Sequence, residues 1–236
     1  MVRNSLLAAQ NDRGDKSMTL SQKVFLAILK LPFKILFSWK VKGKENIPLD
    51  GPLIVIANHV HLLDTFLLAF SLPRWINFMA KEELFRSAFL RPILRWGGAF
   101  PVSRQGTIKE KQGIFRRAKD VLDRGLILGM FPEGSRSHDG KLRMGKPGCA
   151  VIAAQTKVSF LPVGIVGTDK IKGISWLWKR PSIVINIGEP FQLLPLEGRL
   201  NRPQRKSLTD SMMRKIAALL PPENRGDYLN NDRHGD

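Results

Sequence analysis

The chain has 236 residues, 43% of them hydrophobic, which suits one good-sized globular domain with its own core. Its formal net charge of +18 points to an anionic partner: nucleic acid, anionic lipid, a phosphorylated substrate or an acidic carrier protein. The single cysteine, Cys149, excludes an internal disulfide and agrees with a reducing compartment, and no secretory signal is visible at the N-terminus.

Residues 1–18 are polar, lack periodicity and read as disordered. Residues 19–40 follow as an amphipathic helical segment. At helical spacing Lys23, Ala27, Lys30, Lys34 and Ser38 share one narrow stripe, and most of the remaining circumference is apolar, ending in Trp39. The segment is too short and too charged at its middle to span a bilayer comfortably. A helix lying in a membrane surface has this pattern, with Pro32 expected to kink it or split it in two.

From Val41 to Leu220 strand-like and helix-like runs alternate as one domain. Leu53–Ala57 reads as a buried strand and the residues from Asp64 as the start of a helix. Ile76–Ala80 is a strand, and residues 82–96 are helical with a break at Pro92. Ala99–Val102 is a short strand. Thr107 and Glu110 have the form of a capping box opening a helix that Gly125 ends. Leu126–Phe131 is a fully apolar strand. A basic loop over 139–148 precedes a helix over 149–156, and Phe160–Val166 and Ser182–Ile187 are further strands. Between those two strands, 168–180 is an irregular excursion containing Trp176 and Trp178. A last helix is expected from Ser207, and residues 221–236 form a polar tail. This alternation argues an α/β fold with a mixed, largely parallel sheet flanked by helices.

Chemistry gathers at the ends of these strands. His59 ends the strand Leu53–Ala57, and Asp64 stands five residues on. Positions five apart on a continuous helix diverge by roughly 140°. The two side chains therefore meet only if the chain turns between them, with His59 before the helix and Asp64 in its first turn. That pair is a candidate general base and its orienting carboxylate. A zinc site built on His59-x-His61 would need further ligands from His138, His234 or Cys149. Arg104 lies just past one strand and Arg136 just past another, with Lys141, Arg143 and Lys146 downstream. Guanidinium groups bind phosphate oxygens bidentately, and ligand sites in open α/β sheets form outside the carboxyl ends of strands, so these loops are candidates for a phosphate site near His59.

The chain resembles the glycerolipid acyltransferases, specifically the bacterial 1-acyl-glycerol-3-phosphate acyltransferase type. Asn58-His59 through Asp64 matches their first block, and Gly98 through Arg104 the second. Phe131-Pro132-Glu133-Gly134-Ser135-Arg136-Ser137 matches the third residue for residue, and Leu161-Pro162-Val163 the fourth. His61 occupies a variable position of the first block. The resemblance implies acyl transfer from acyl-CoA or acyl-carrier protein to the hydroxyl of lysophosphatidic acid, with His59 as base, Asp64 as its partner and no acyl-enzyme. It also implies acceptor binding by Arg104, Gly134, Ser135, Arg136 and Lys146, with Glu133 either contacting the acceptor or orienting Arg136, and no metal or cofactor. A nucleic-acid partner, which the charge alone suggests, is disfavoured because the basic residues lie beside apolar helices rather than on a reading element. The expected location is the anionic cytoplasmic surface of a bacterial inner membrane. Acceptor identity stays open, with glycerol 3-phosphate or a lyso-aminolipid as alternatives. So do acyl-chain length and donor type. A membrane-binding module without activity is the alternative outside enzymes.

Overall fold

The computed structural model describes residues 18–102, 107–156, 158–174, 176–193 and 200–229. Residues 1–17, expected to be disordered, lie outside them. Seven strands form one sheet: β1 (Ser38–Lys42), β2 (Leu53–Ala57), β3 (Ile76–Lys81), β4 (Phe100–Val102), β5 (Ile127–Met130), β6 (Ser159–Val166) and β7 (Ser182–Ile187). Their order is β1-β7-β6-β2-β5-β3-β4, with every pairing parallel except β6–β7. The expected mixed, largely parallel sheet is therefore present.

The helices are α1 (Leu20–Leu36), α2 (Asp64–Ser71), α3 (Leu90–Trp96), α4 (Ile108–Asp123), α5 (Gly148–Gln155), α6 (Trp176–Lys179) and α7 (Arg202–Ala217). β2 sits at the centre, with all five of its residues buried. Its side chains alternate between two cores. Ile54 and Ile56 join the layer of α4, α5 and α7, while Leu53, Val55 and Ala57 join the layer that packs under α1 and α2.

Parallel, in-register pairing places the functional loops. Ile56 pairs with Met130 across β2 and β5, so the chain leaves both strands side by side at their carboxyl ends, His59 from one and Phe131–Ser137 from the other. Asn58 ties the same end of β2 to β6. Its side chain donates to Ile165 O at 2.8 Å and accepts from Ile165 N at 2.7 Å.

The N-terminal segment differs from expectation. The helix ends at Leu36, and Trp39 belongs to β1, where it pairs with Ile183. Lys40 and Lys42 likewise stand on a strand. Pro32 does not divide α1, which runs through it as one helix. Pro32 is on the exposed side, and Phe33 beside it packs on Phe37, Phe66 and Phe70, so the tertiary contacts hold the helix across the missing amide. Lys30 departs from the lysine stripe expected on the polar side: its ammonium donates to Phe70 O at 2.8 Å and lies 5.4 Å from the Trp39 ring centroid. Burial there pulls its pKa below the ordinary lysine value.

Other differences are local. Residues 82–96 split into a 3₁₀ turn (Glu82–Arg86) and α3, with Pro92 in the helix's first turn, where its missing amide has no partner to lose. The last helix begins at Arg202, five residues before Ser207, because Asn201 and Gln204 form a reciprocal cap with Pro203 just inside it. Residues 168–180 hold a 3₁₀ turn and the short α6, whose Trp176 stacks on Phe37 with ring centroids 5.1 Å apart. Described residues of the polar tail dock on the basic loop. Leu142 N donates to Asn224 O at 2.8 Å, Met144 N donates to Asp227 Oδ2 at 3.0 Å, and Tyr228 is buried.

At the amino ends of the strands the buried Arg74 guanidinium donates to the carbonyls of Pro48, Asp50, Gly51 and Gly125, joining the segments that lead into β2 and β5. Arg74→Met keeps the length of the side chain and strips these carbonyls of their donor. It should lower unfolding stability by roughly 3 kcal/mol or more, measured by chemical denaturation.

Candidate active site

The turn between β2 and α2 brings the first pair together. Asp64 is the first residue of α2 and fully buried, and its Oδ2 lies 3.0 Å from His59 Nδ1. The same oxygen accepts from Val60 N and His61 N, each at 2.7 Å. Those two amides hold the carboxylate still, and the N-terminus of the helix favours its negative charge. An acceptor on Nδ1 places the imidazole proton there, which leaves Nε2 as the nitrogen able to take another.

The histidine ring is also clamped from its face. It stacks on Phe131 at 4.0 Å between centroids with a 17° tilt, and Phe131 stacks on Phe78 at 6.1 Å and 10°. Gly129 makes this stack possible, because a Cβ at that position would meet the Phe78 ring at 2.6 Å. A glycine inside an otherwise apolar strand was the sequence signal for that close approach.

Glu133 acts on the backbone of the site. It is 2% exposed, and its carboxylate accepts from His59 N at 2.7 Å and from Arg143 N at 2.9 Å. The glutamate therefore has both oxygens on the protein's own amides and ties the backbone of the site together. The loop is tied a second time by Ser137 N donating to His59 O at 2.8 Å. Burial pushes the Glu133 carboxyl up to about 7, against the two amide bonds that favour its ionised form.

Gly134, Ser135, Arg136 and Lys146 all line one cavity with His59. Gly134 adopts φ +64, and a Cβ on it would meet Lys146 Cδ at 2.9 Å, so the glycine lets the lysine stem lie against the loop. Arg136 and Lys146 are exposed cations on the wall that His59 shares. Arg104 lies outside the described residues. Val102, at the end of β4, is the last described residue before it. His61 is held differently from His59: its Nδ1 accepts from Leu63 N at 3.3 Å, and burial lowers its pKa. Cys149 is buried, which raises its thiol to about 12 and makes it a poor nucleophile.

The cavity has a volume of about 990 Å³. Its lining combines His59, Arg136, His138 and Lys146 with many apolar side chains, among them Phe25, Leu26 and Leu29 of α1 and Phe66, Phe70 and Trp75. Sequence reading assigned α1 to the membrane and missed this second role. Helix periodicity does report two apolar faces, but not which one meets protein. The cavity thus brings an imidazole with a free Nε2, cationic side chains and a large apolar surface together.

The chain belongs to the acyltransferase family, whose model, described as Acyltransferase, matches residues 38–166. It is 31% identical over 194 residues to 1-acyl-sn-glycerol-3-phosphate acyltransferase of Bacillus subtilis, covering 80% of this chain and 90% of that protein. It is 32% identical over 154 residues to the chloroplastic 1-acyl-sn-glycerol-3-phosphate acyltransferase LPAT1 of Arabidopsis thaliana, covering 63% of this chain. The chain spans only 41% and 42% of the length of the Arabidopsis and Brassica napus chloroplast proteins. The crystal structure of the 1-acyl-sn-glycerophosphate (LPA) acyltransferase PlsC from Thermotoga maritima superposes with a TM-score of 0.60 at 28% identity, over 86% of this chain and 83% of that one.

The Glu133 carboxyl gives a pH signature. With a folded value of about 7 against 4.5, the folded protein keeps a proton that the unfolded chain has already released. Stability through this group is therefore greatest at pH 4.5 and below, and is lost as pH rises toward about 7. Glu133→Gln removes that titration and turns one amide donor against another, a loss of roughly 1–3 kcal/mol. The stability gap between the native protein and the variant, read from denaturant titrations, should widen as pH falls from 8 to 5.

Proposed function

We propose that the protein transfers an acyl chain from acyl-CoA or acyl-carrier protein to the free hydroxyl of 1-acyl-sn-glycerol 3-phosphate, forming phosphatidic acid. The observation that carries this reading is the His59–Asp64 pair on a cavity lined by both cationic and apolar side chains. The names of the related proteins supply the acceptor. His59 Nε2 takes the hydroxyl proton as the alkoxide oxygen attacks the thioester carbonyl, and Asp64 steadies the imidazolium. Collapse of the tetrahedral species breaks the carbon–sulfur bond, and the departing thiolate takes the proton back from His59. No acyl-enzyme is needed, in keeping with the raised thiol pKa of Cys149. Arg136 and Lys146, with Arg104, hold the acceptor's phosphate.

His59→Ala should slow the chemical step by roughly 10²–10⁴-fold with acceptor binding little changed, whereas His61→Ala should be mild. Arg136→Ala should raise the acceptor KM by roughly ten- to a hundred-fold and leave the donor KM nearly unchanged, with Arg136→Lys recovering only part of the loss. Steady-state constants measured for lysophosphatidic acid, glycerol 3-phosphate and a lyso-aminolipid with both donor types test the assignment. A rise in donor KM alone would move the arginine to the donor, and preferred turnover of a different acceptor would replace the one named.

The protein works at a membrane surface. Among the described residues no helix is long and apolar enough to cross a membrane. On α1, Leu20, Val24, Ile28, Leu31 and Ile35 form one exposed apolar stripe, 49–78% accessible, with Lys23 and Lys34 exposed beside it. The opposite face of the same helix roofs the cavity, so an acceptor leaving the lipid reaches the site along the helix that touches the bilayer. Replacing Val24, Ile28 and Leu31 by Ser should strongly reduce flotation with liposomes while the protein stays folded. Undiminished flotation would remove α1 from the membrane.

A further inference from the structure

A second concavity, about 450 Å³, lies on the outer side of edge strand β4, and nothing in the proposed chemistry uses it. Arg86 comes to it from the 3₁₀ turn after β3, Arg95 from α3 and Arg117 from α4. Glu82 is the acidic residue lining it, so three cations converge against one anion. Among the described residues no hydrogen bond or ion pair is made by the guanidinium of any of the three, although Lys81 and, secondarily, the nearby Arg86 lower the pKa of the Glu83 carboxyl. The neighbouring Glu83 is engaged by Lys81 at 2.8 Å. Like charges brought together from three separate elements repel one another, and the fold offsets this with one carboxylate. An arrangement of that kind is completed by an anion, and guanidinium groups are matched to phosphate oxygens.

Where the concavity sits narrows the source of the phosphate. α3, which supplies Arg95, also presents Trp96 at 45% exposure, and Phe89 just before its first residue is 74% exposed. Trp96 packs on Phe25 of α1 at 4.1 Å between ring centroids, so α3 lies beside the helix that carries the outward apolar stripe. Ala99 lines both the arginine concavity and the main cavity. Apolar side chains beside a cluster of arginines match the depth profile of a lipid leaflet, with acyl chains below and phosphates above.

We propose that Arg86, Arg95 and Arg117 form a binding site for the phosphate of an anionic phospholipid in the surrounding leaflet, separate from the acceptor's phosphate at Arg136. The proposal rests on the membrane reading of α1 and extends it to α3. A headgroup held there seats the α1–α3 face on the bilayer next to the cavity and makes attachment selective for acidic lipids.

The test compares flotation of the full chain with phosphatidylcholine vesicles and with vesicles containing phosphatidylglycerol. Three forms are used: the native protein, Arg86→Gln/Arg95→Gln/Arg117→Gln, and a control with equal charge loss, Arg124→Gln/Lys206→Gln/Arg214→Gln. The native protein should bind phosphatidylglycerol vesicles at least ten-fold more tightly than phosphatidylcholine vesicles. The pocket variant should lose most of that gain and keep its phosphatidylcholine binding, while the control keeps most of the gain. Equal losses in pocket variant and control would reduce the effect to overall charge and overturn the site. Protection of the pocket by coenzyme A or 3′,5′-ADP, with a raised donor KM in detergent, would assign the arginines to the donor and also overturn it. Failure of the α1 reading looks different: the Val24, Ile28 and Leu31 serine variant would then float as well as the native protein on both kinds of vesicle.

Discussion

The Glu133 carboxylate is the constraint on which the site depends. One oxygen holds the amide of His59 at the end of β2, and the other holds the amide of Arg143 in the basic loop. Glu133 itself belongs to the segment leaving β5, so one buried side chain fixes three segments that meet nowhere else in sequence. The cost is visible in its own ionisation, since burial raises the carboxyl to about 7 even with two amide donors on it. The side chain stays because without it the amides of His59 and Arg143 lose their acceptor, and His59 loses its backbone anchor.

Around that anchor the rigidity is layered. Asp64 fixes the tautomer of His59, the Phe131–Phe78 stack fixes the plane of its ring, and Asn58 locks the end of β2 to β6. The tail contributes from a distance, since Asn224 and Asp227 hold the backbone of the loop whose Arg143 amide reaches Glu133. Arg136 and Lys146 line the cavity from a strand end and from that pinned loop, while α1 contributes Phe25, Leu26 and Leu29 to its apolar lining.

Much of this was legible before any coordinates. β2, β5, β6 and β7 are runs of branched aliphatic residues, and their apolar character alone marks them as buried strands. The capping box at Thr107 and Glu110 marks the start of α4, and it is present. The meeting of His59 with Asp64 follows from a spacing that requires a turn, and the turn is there. These features are local. They depend on residues within a few positions of one another, where backbone sterics and hydrogen bonding leave little choice.

What the chain by itself could not decide involves distant partners. Lys30 belongs to a lysine stripe by periodicity, and only the docking of α1 on β1 and α2 turns it inward to Phe70 and Trp39. Trp39 continues a helical pattern on paper, but β7 offers its backbone a parallel partner and takes it into the sheet. Glu133 is a carboxylate beside an arginine in sequence, and its bonds to the amides of His59 and Arg143 exist only because β2 and β5 pair in register. Sequence alone marked the candidate residues for the chemistry and the local turns they occupy, because short-range sterics and patterning act within a few residues. Tertiary structure decided which of them face the cavity and which hold the protein together, because that choice belongs to hydrogen bonds and packing between segments far apart in the chain.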